Sequence, residues 1–246
     1  MNPTRSNPQH SRTAAALAAP DASVRLQAAL AAGANPDAEL LGTLVERCGV
    51  EPDFFVRDML SWALTRFPPE RTLPRLRHEL DSGCAQARSQ ALHTLSKIGD
   101  GRAWAWMSRD LLRDPDHDVA RTAWRVAVTL VPAGEEGALA GELVGQLGRG
   151  DSQVQLSLSR ALVGLGDVVE AALEGATADP DPAVAAHARA TRLLLQDPEI
   201  GFEAAVDEAR RVAALGPGRA AVAAATGAGR SPEAATPAED AGAARC

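Results

Sequence analysis

The sequence predicts an all-α fold, an α-solenoid of about five to six helical hairpins. Three observations carry that expectation. Helix formers dominate: of 246 residues 51 are Ala, whereas Ile occurs twice, Tyr never, and aromatics make up 3%. So poor a supply of sheet-favouring side chains argues against a β fold. A short pattern recurs six times, an Asp followed three positions on by a small aliphatic and usually an Arg. Within each copy apolar or small residues return at helical spacing.

The copies open at Asp21, Asp53, Cys84, Asp116, Asp151 and Asp181, at intervals of 32, 31, 32, 35 and 30 residues. Asp is a strong N-cap because its carboxylate accepts free N–H groups of the first turn. From the aligned aliphatics Val24, Val56, Ala87, Val119, Val154 and Val184, small or apolar residues stand at +4 and +7, one helical face. Gly33, Gly99 and Gly166 follow apolar runs where a left-handed residue would end a helix.

An amphipathic segment precedes five of the copies: 37–48, 70–80, 102–113, 135–147 and 167–176. Each unit therefore reads as a hairpin of an A helix and a B helix. One hairpin cannot bury its apolar face, but a stack of them can. The solenoid is expected over residues 13–215. Its last part, 199–215, is a helix that caps the end repeat. Residues 1–12 are polar and are expected to be disordered. So is the tail 216–246, where 20 of 31 residues are Gly, Ala or Pro.

Asp-x-x-Val-Arg at a period near 31, over residues 13 to 196, resembles the short HEAT repeats, including those called phycobilin-lyase-like. The resemblance implies A helices outside and B helices lining a concave face. It also implies that Arg25, Arg57 and Arg88 form a ladder with the repeat acids Asp21, Asp53, Asp116, Asp151 and Asp181. In the last three units the Arg slot holds Ala120, Gln155 and Ala185. The fold implies no particular chemistry.

The phase of the repeat selects a candidate surface. Positions +2, +5, +6 and +9 of each B helix point away from the expected core face. They place Trp62, His93, Arg121, Trp124, Arg125 and Arg160 on one concave strip. Trp and Arg are the types enriched at binding hot spots. The charges of the strip favour a protein or peptide partner that carries carboxylates. Of Trp104 and Trp106, two apart on an A helix, one is expected in the core. Arg66, Arg71, Arg75, Arg77 and His78 form a basic patch expected to be solvated.

Catalytic constellations are not found. No phosphate loop, H-E-x-x-H or G-x-S-x-G is present, and the sole Lys is Lys97. One His-Glu pair, His78-Glu79, cannot supply a two-iron site of the deoxyhypusine hydroxylase kind, which needs several. The segment from Asp53 to Leu64 is similar to one helix of the HEAT-like alkylpurine DNA glycosylases. Their fuller signature is missing, however, and a net charge of −7 suits phosphate tracking poorly. That charge is uneven: residues 51–113 hold 10 basic and 8 acidic side chains, residues 114–208 hold 6 and 17.

The expectation is thus a non-catalytic scaffold or adaptor without cofactor or metal. The alternatives are a DNA-binding or glycosylase-like protein and a phycobilin-lyase-like or assembly-factor role. Three cysteines without C-x-x-C spacing suggest a reducing cytoplasm. No membrane span or nucleic-acid partner is expected. The excess of Ala and Arg suggests a bacterium of high GC content.

Overall fold

The computed structural model describes residues 8–214, and the architecture is helical throughout them. The B helices are α2 (Ala22–Ala34), α4 (Phe54–Thr65), α6 (Ala85–Ile98), α8 (His117–Leu130), α10 (Ser152–Val163) and α12 (Pro182–Gln196). The A layer consists of α1 (Pro8–Leu17), α3 (Leu41–Val50), α5 (Pro69–Leu80), α7 (Arg109–Leu112), α9 (Glu136–Val144) and α11 (Glu170–Ala176). Consecutive B helices touch from α2 to α12, and each A helix packs on its own B helix. Six hairpins therefore stack among the described residues as an α-solenoid.

Local chemistry explains where the B helices begin. The carboxylates of Asp21, Asp53, Asp116, Asp151 and Asp181 each accept a backbone N–H of the turn they open. Cys84 makes no such bond with its side chain; Ser82 Oγ instead accepts the Cys84 N–H at 3.2 Å. The core runs continuously between the layers through Leu17, Leu44, Leu60, Leu64, Leu95, Val119, Leu143, Leu158 and Leu173. The last helix, α13 (Phe202–Ala214), covers α12 with Phe202, Val206 and Ala209, as a terminal repeat needs.

Five expectations are corrected. Helix α1 begins at Pro8, inside the stretch 1–12 expected to be disordered. Proline suits the first turn of a helix, and the Ala-rich run ends in Leu17, 1% exposed against α2. Residues 1–7 and the tail 216–246 lie outside the described residues. The fourth A segment is not one helix but a 3-10 turn, Gly101–Trp106, followed by the single turn α7. Ser108 breaks it, because its hydroxyl accepts the Leu111 N–H and restarts the helix. Trp104 and Trp106 both end up half-buried, neither fully in the core.

Gly33 is not a left-handed stop either; it lies inside α2, whereas Gly99 and Gly166 do take positive φ, 67° and 71°. A Cβ on Gly33 would stand 2.2 Å from Trp62 Cζ3. Glycine is there because the Trp62 ring fills the space a side chain would need.

The ladder also takes another form. Each Asp cap serves its own helix, and the arginines reach a carboxylate two residues ahead of the next cap. Arg25 forms a two-pronged pair with Glu51 (Nε–Oε2 and Nη2–Oε1, both 2.8 Å). Arg88 does the same with Asp114, at 2.8 and 3.0 Å. Each of these carboxylates also accepts the N–H of the following cap, Asp53 or Asp116, at 2.9 Å. The arginines bind back to the carbonyls of their own turn, Ala19 and Pro20 for Arg25 and Ser82 for Arg88. Arg57 holds the Glu51 and Pro52 carbonyls in the same way, but Ser82 stands where its acid would be. Between the second and third hairpins the neutral Gln86 amide bridges instead, donating to the Cys48 and Glu51 carbonyls.

Candidate functional site

A concavity of about 650 Å³ lies over the B helices α4, α6, α8 and α10. Its floor follows from the helical phase. Positions +2 supply Asp58, Ser89 and Arg121; positions +6 supply His93, Arg125 and Arg160. Phe54 and Arg57 close one end.

The arginines are not equivalent. Arg121 is anchored, its Nε donating to Ser157 Oγ at 2.9 Å, with Asp118 at 3.6 Å. Arg125 and Arg160 are exposed, and among the described residues no carboxylate lies within ion-pair distance of either. Asp58 is already engaged by Lys97 Nζ at 2.7 Å, with His93 Nε2 at 3.7 Å. The Lys97 hydrogen bond holds the Asp58 carboxyl below its usual range against the effect of burial. Burial, reinforced by the charges of Lys97 and Arg125, pushes the His93 pKa down. His93 therefore favours its neutral form. The groove thus presents unneutralised guanidinium groups on a chain of net charge −7.

Of the six strip residues expected from sequence, His93, Arg121, Arg125 and Arg160 line this groove and the two tryptophans do not. Trp62 turns its ring over Gly33, between α2 and α4. Trp124 is fully buried: its Nε1–H donates to the Leu112 carbonyl at 2.8 Å, and the Arg149 guanidinium sits 5.9 Å from the ring. Five of the six +5 positions are inward: Ala29, Ser61, Leu92, Trp124 and Ser159 are each 0% exposed, and the sixth, Arg189, is half-buried. A B helix packs on two neighbouring B helices as well as on its A helix, so its buried arc is wider than one face.

Sequence reasoning missed Phe54 as a groove residue. Phe54 and Phe55 are 66% and 70% exposed, edge to face at 5.6 Å. The signal was there, since both precede the inward Val56 in the first turn. The basic patch on α5 is exposed at Arg71, Arg75, Arg77 and His78, with Arg77 stacked over the Trp106 ring at 5.7 Å.

A second polar cluster is buried between the fifth and sixth hairpins, around His187. Its Nδ1 accepts the Gly148 N–H at 3.0 Å, which leaves the ring proton on Nε2, near the Gln155 carbonyl and Ser159 Oγ. Ser159 Oγ contacts Thr191 Oγ1 at 2.7 Å, and Thr191 donates to the His187 carbonyl. The chain is fully satisfied and closed to solvent, so it joins two repeats and offers no ligand site. Burial lowers the His187 pKa to about 4.

Such a stack of two-helix units with one continuous lining is a helical repeat protein of the α-solenoid class. Residues 11–95 match the family model for HEAT repeats, and helical hairpins continue beyond that match to residue 196. Among solved structures, a crystal structure of an engineered protein matches at 18% identity and a TM-score of 0.42, covering 83% of this chain and 98% of the other. No curated protein matches significantly. Among the described residues, no helix is long and apolar enough to cross a membrane.

Proposed function

We propose that this protein is a non-catalytic scaffold or adaptor of a reducing, cytoplasmic setting. It holds an acidic segment of a protein partner in the groove over α4, α6, α8 and α10. HEAT repeats are in general protein-interaction scaffolds, which is the coarse part of this reading. The finer part rests on one observation: Arg125 and Arg160 face the groove without a carboxylate partner. An unpaired guanidinium is a ready two-pronged donor for a partner's carboxylate. Phe54 offers an apolar anchor at the α4 end. Cys48 and Cys84 are free thiols, in keeping with a reducing compartment.

Affinity capture from the native host tests the reading, with wild type beside an Arg125→Glu/Arg160→Glu double variant. Both side chains are exposed, so the variant folds and should lose the partners that wild type holds. An unchanged set of captured proteins counts against the groove. Binding of duplex DNA with a steep salt dependence would favour the nucleic-acid alternative.

A further inference from the structure

We propose that His10, Asp37 and Glu39 form a divalent transition-metal site, of the zinc class, that ties α1 to the turn opening α3. Two observations meet there. His10, Asp37 and Glu39 are the one group among the described residues whose potential ligand atoms gather within 4.8 Å of one another. His10 Nδ1 is also one of only two buried side-chain polar atoms among the described residues that have no hydrogen-bond partner; the other, Glu170 Oε2, belongs to a carboxylate already paired with Arg192. A buried ring nitrogen left without a partner is costly, and this one lies near a carboxylate oxygen of each of two residues.

The distances favour a bridging ion over a direct bond. His10 Nδ1 lies 3.9 Å from Asp37 Oδ2 and 3.9 Å from Glu39 Oε2, too far for a hydrogen bond to either. Ligands held about 2.1 Å from a tetrahedral ion stand about 3.4 Å apart, so each His10–carboxylate distance would shorten by about half an ångström, with the two carboxylates starting within 4.8 Å of each other. Asp37 is already oriented: its Oδ1 accepts the Glu39 N–H at 3.0 Å, which leaves Oδ2 for the ion. One imidazole and two carboxylates suit zinc and its neighbours better than the all-oxygen preference of calcium or magnesium. Three protein ligands leave a position open to water.

Such an ion would pin the first hairpin. Helix α1 rests on α2 and on the 3-10 turn Ala38–Leu40, and the ligands come from both sides of that seam.

The full chain is titrated with ZnCl2 by calorimetry and by thermal melting, and with CoCl2 by visible absorption. Wild type should bind one Zn2+, melt at a higher temperature as Zn2+ rises, and give the absorption of a tetrahedral cobalt site. His10→Ala should weaken binding by about tenfold or more and abolish both signals. Glu39→Gln, an exposed change that leaves the Asp37 cap intact, should weaken binding similarly. No Zn2+ binding by wild type, or equal binding by His10→Ala, overturns the proposal; the second result would move the metal to other ligands.

Discussion

Gly33→Ala is a substitution that helix propensity alone would predict to stabilise the protein. Ala is favoured over Gly by about 1 kcal/mol inside a helix, and Gly33 sits in α2 with ordinary helical neighbours. The structure reverses the sign. The new methyl would lie 2.2, 2.7 and 2.9 Å from three ring atoms of Trp62, against 3.4 Å or more for ordinary contact. The indole would have to retreat by about 1 Å, and overpacking of this kind costs about 1–3 kcal/mol. The net expectation is a loss of up to about 2 kcal/mol. In a Trp62→Leu background the obstruction is gone, and the same Gly33→Ala change should gain up to about 1 kcal/mol. Urea unfolding followed by far-UV circular dichroism on the four proteins of this cycle reads the coupling, expected at about 1–3 kcal/mol. Equal effects of Gly33→Ala in the two backgrounds, or a gain in wild type, would refute the steric account.

Three further outcomes follow from the buried polar groups. Glu51 is fully buried; burial works to raise its carboxyl pKa, but the hydrogen bonds from Arg25, the Asp53 N–H and Arg47 outweigh it and hold the pKa at about 2. Glu51→Gln leaves the Arg25 charge without its partner and should cost about 2–4 kcal/mol in urea unfolding, with part of the loss screened through the partly exposed Arg47; a loss below about 1 kcal/mol would show that the pair is dispensable. His187 stays neutral in the fold down to about pH 4 but takes a proton near pH 6.5 when unfolded. Its stabilising effect is therefore whole above pH 6.5 and fades as pH falls toward 4, by up to about 3 kcal/mol; His187→Gln should flatten that limb of the stability profile, and an unchanged slope would contradict the assignment. Trp124→Phe removes the Nε1 bond to the Leu112 carbonyl and orphans that acceptor, so it should lower stability by about 1–3 kcal/mol while leaving partner capture intact.

The B helices were legible because a cap acid and a +4/+7 apolar row are local signals. Helix α1 was not, since PQHSRTAAAL carries little apolar periodicity and is held by Leu17 packing on α2. The +2 and +6 rows of the groove could be read from phase, and they placed four of the six strip residues. The tryptophans could not. Trp62 depends on a glycine in the neighbouring helix, and Trp124 on a carbonyl at the end of the short α7, both facts of packing between elements. The ladder was misread for a similar reason: the acid that meets Arg25 precedes the next cap by two residues, and at Glu51 it is not even an Asp.

The joints between hairpins differ in a way that bears on stiffness. The first and second hairpins, and the third and fourth, are riveted by a two-pronged ion pair, the fifth and sixth by a closed chain through His187. The seam between the second and third has no such pair; Gln86 donates to the Cys48 and Glu51 carbonyls, Thr94 to Ser61 and the Cys84 thiol to the Gly49 carbonyl, with Lys97 on Asp58 at the rim. Two joints, between the second and third hairpins and between the fourth and fifth, thus lack a buried two-pronged ion pair, and both lie under the groove. Bending there alters the distance between the aromatic anchor and the free guanidinium groups. The groove can thus be a gauge of variable width, able to follow the contour of what it holds.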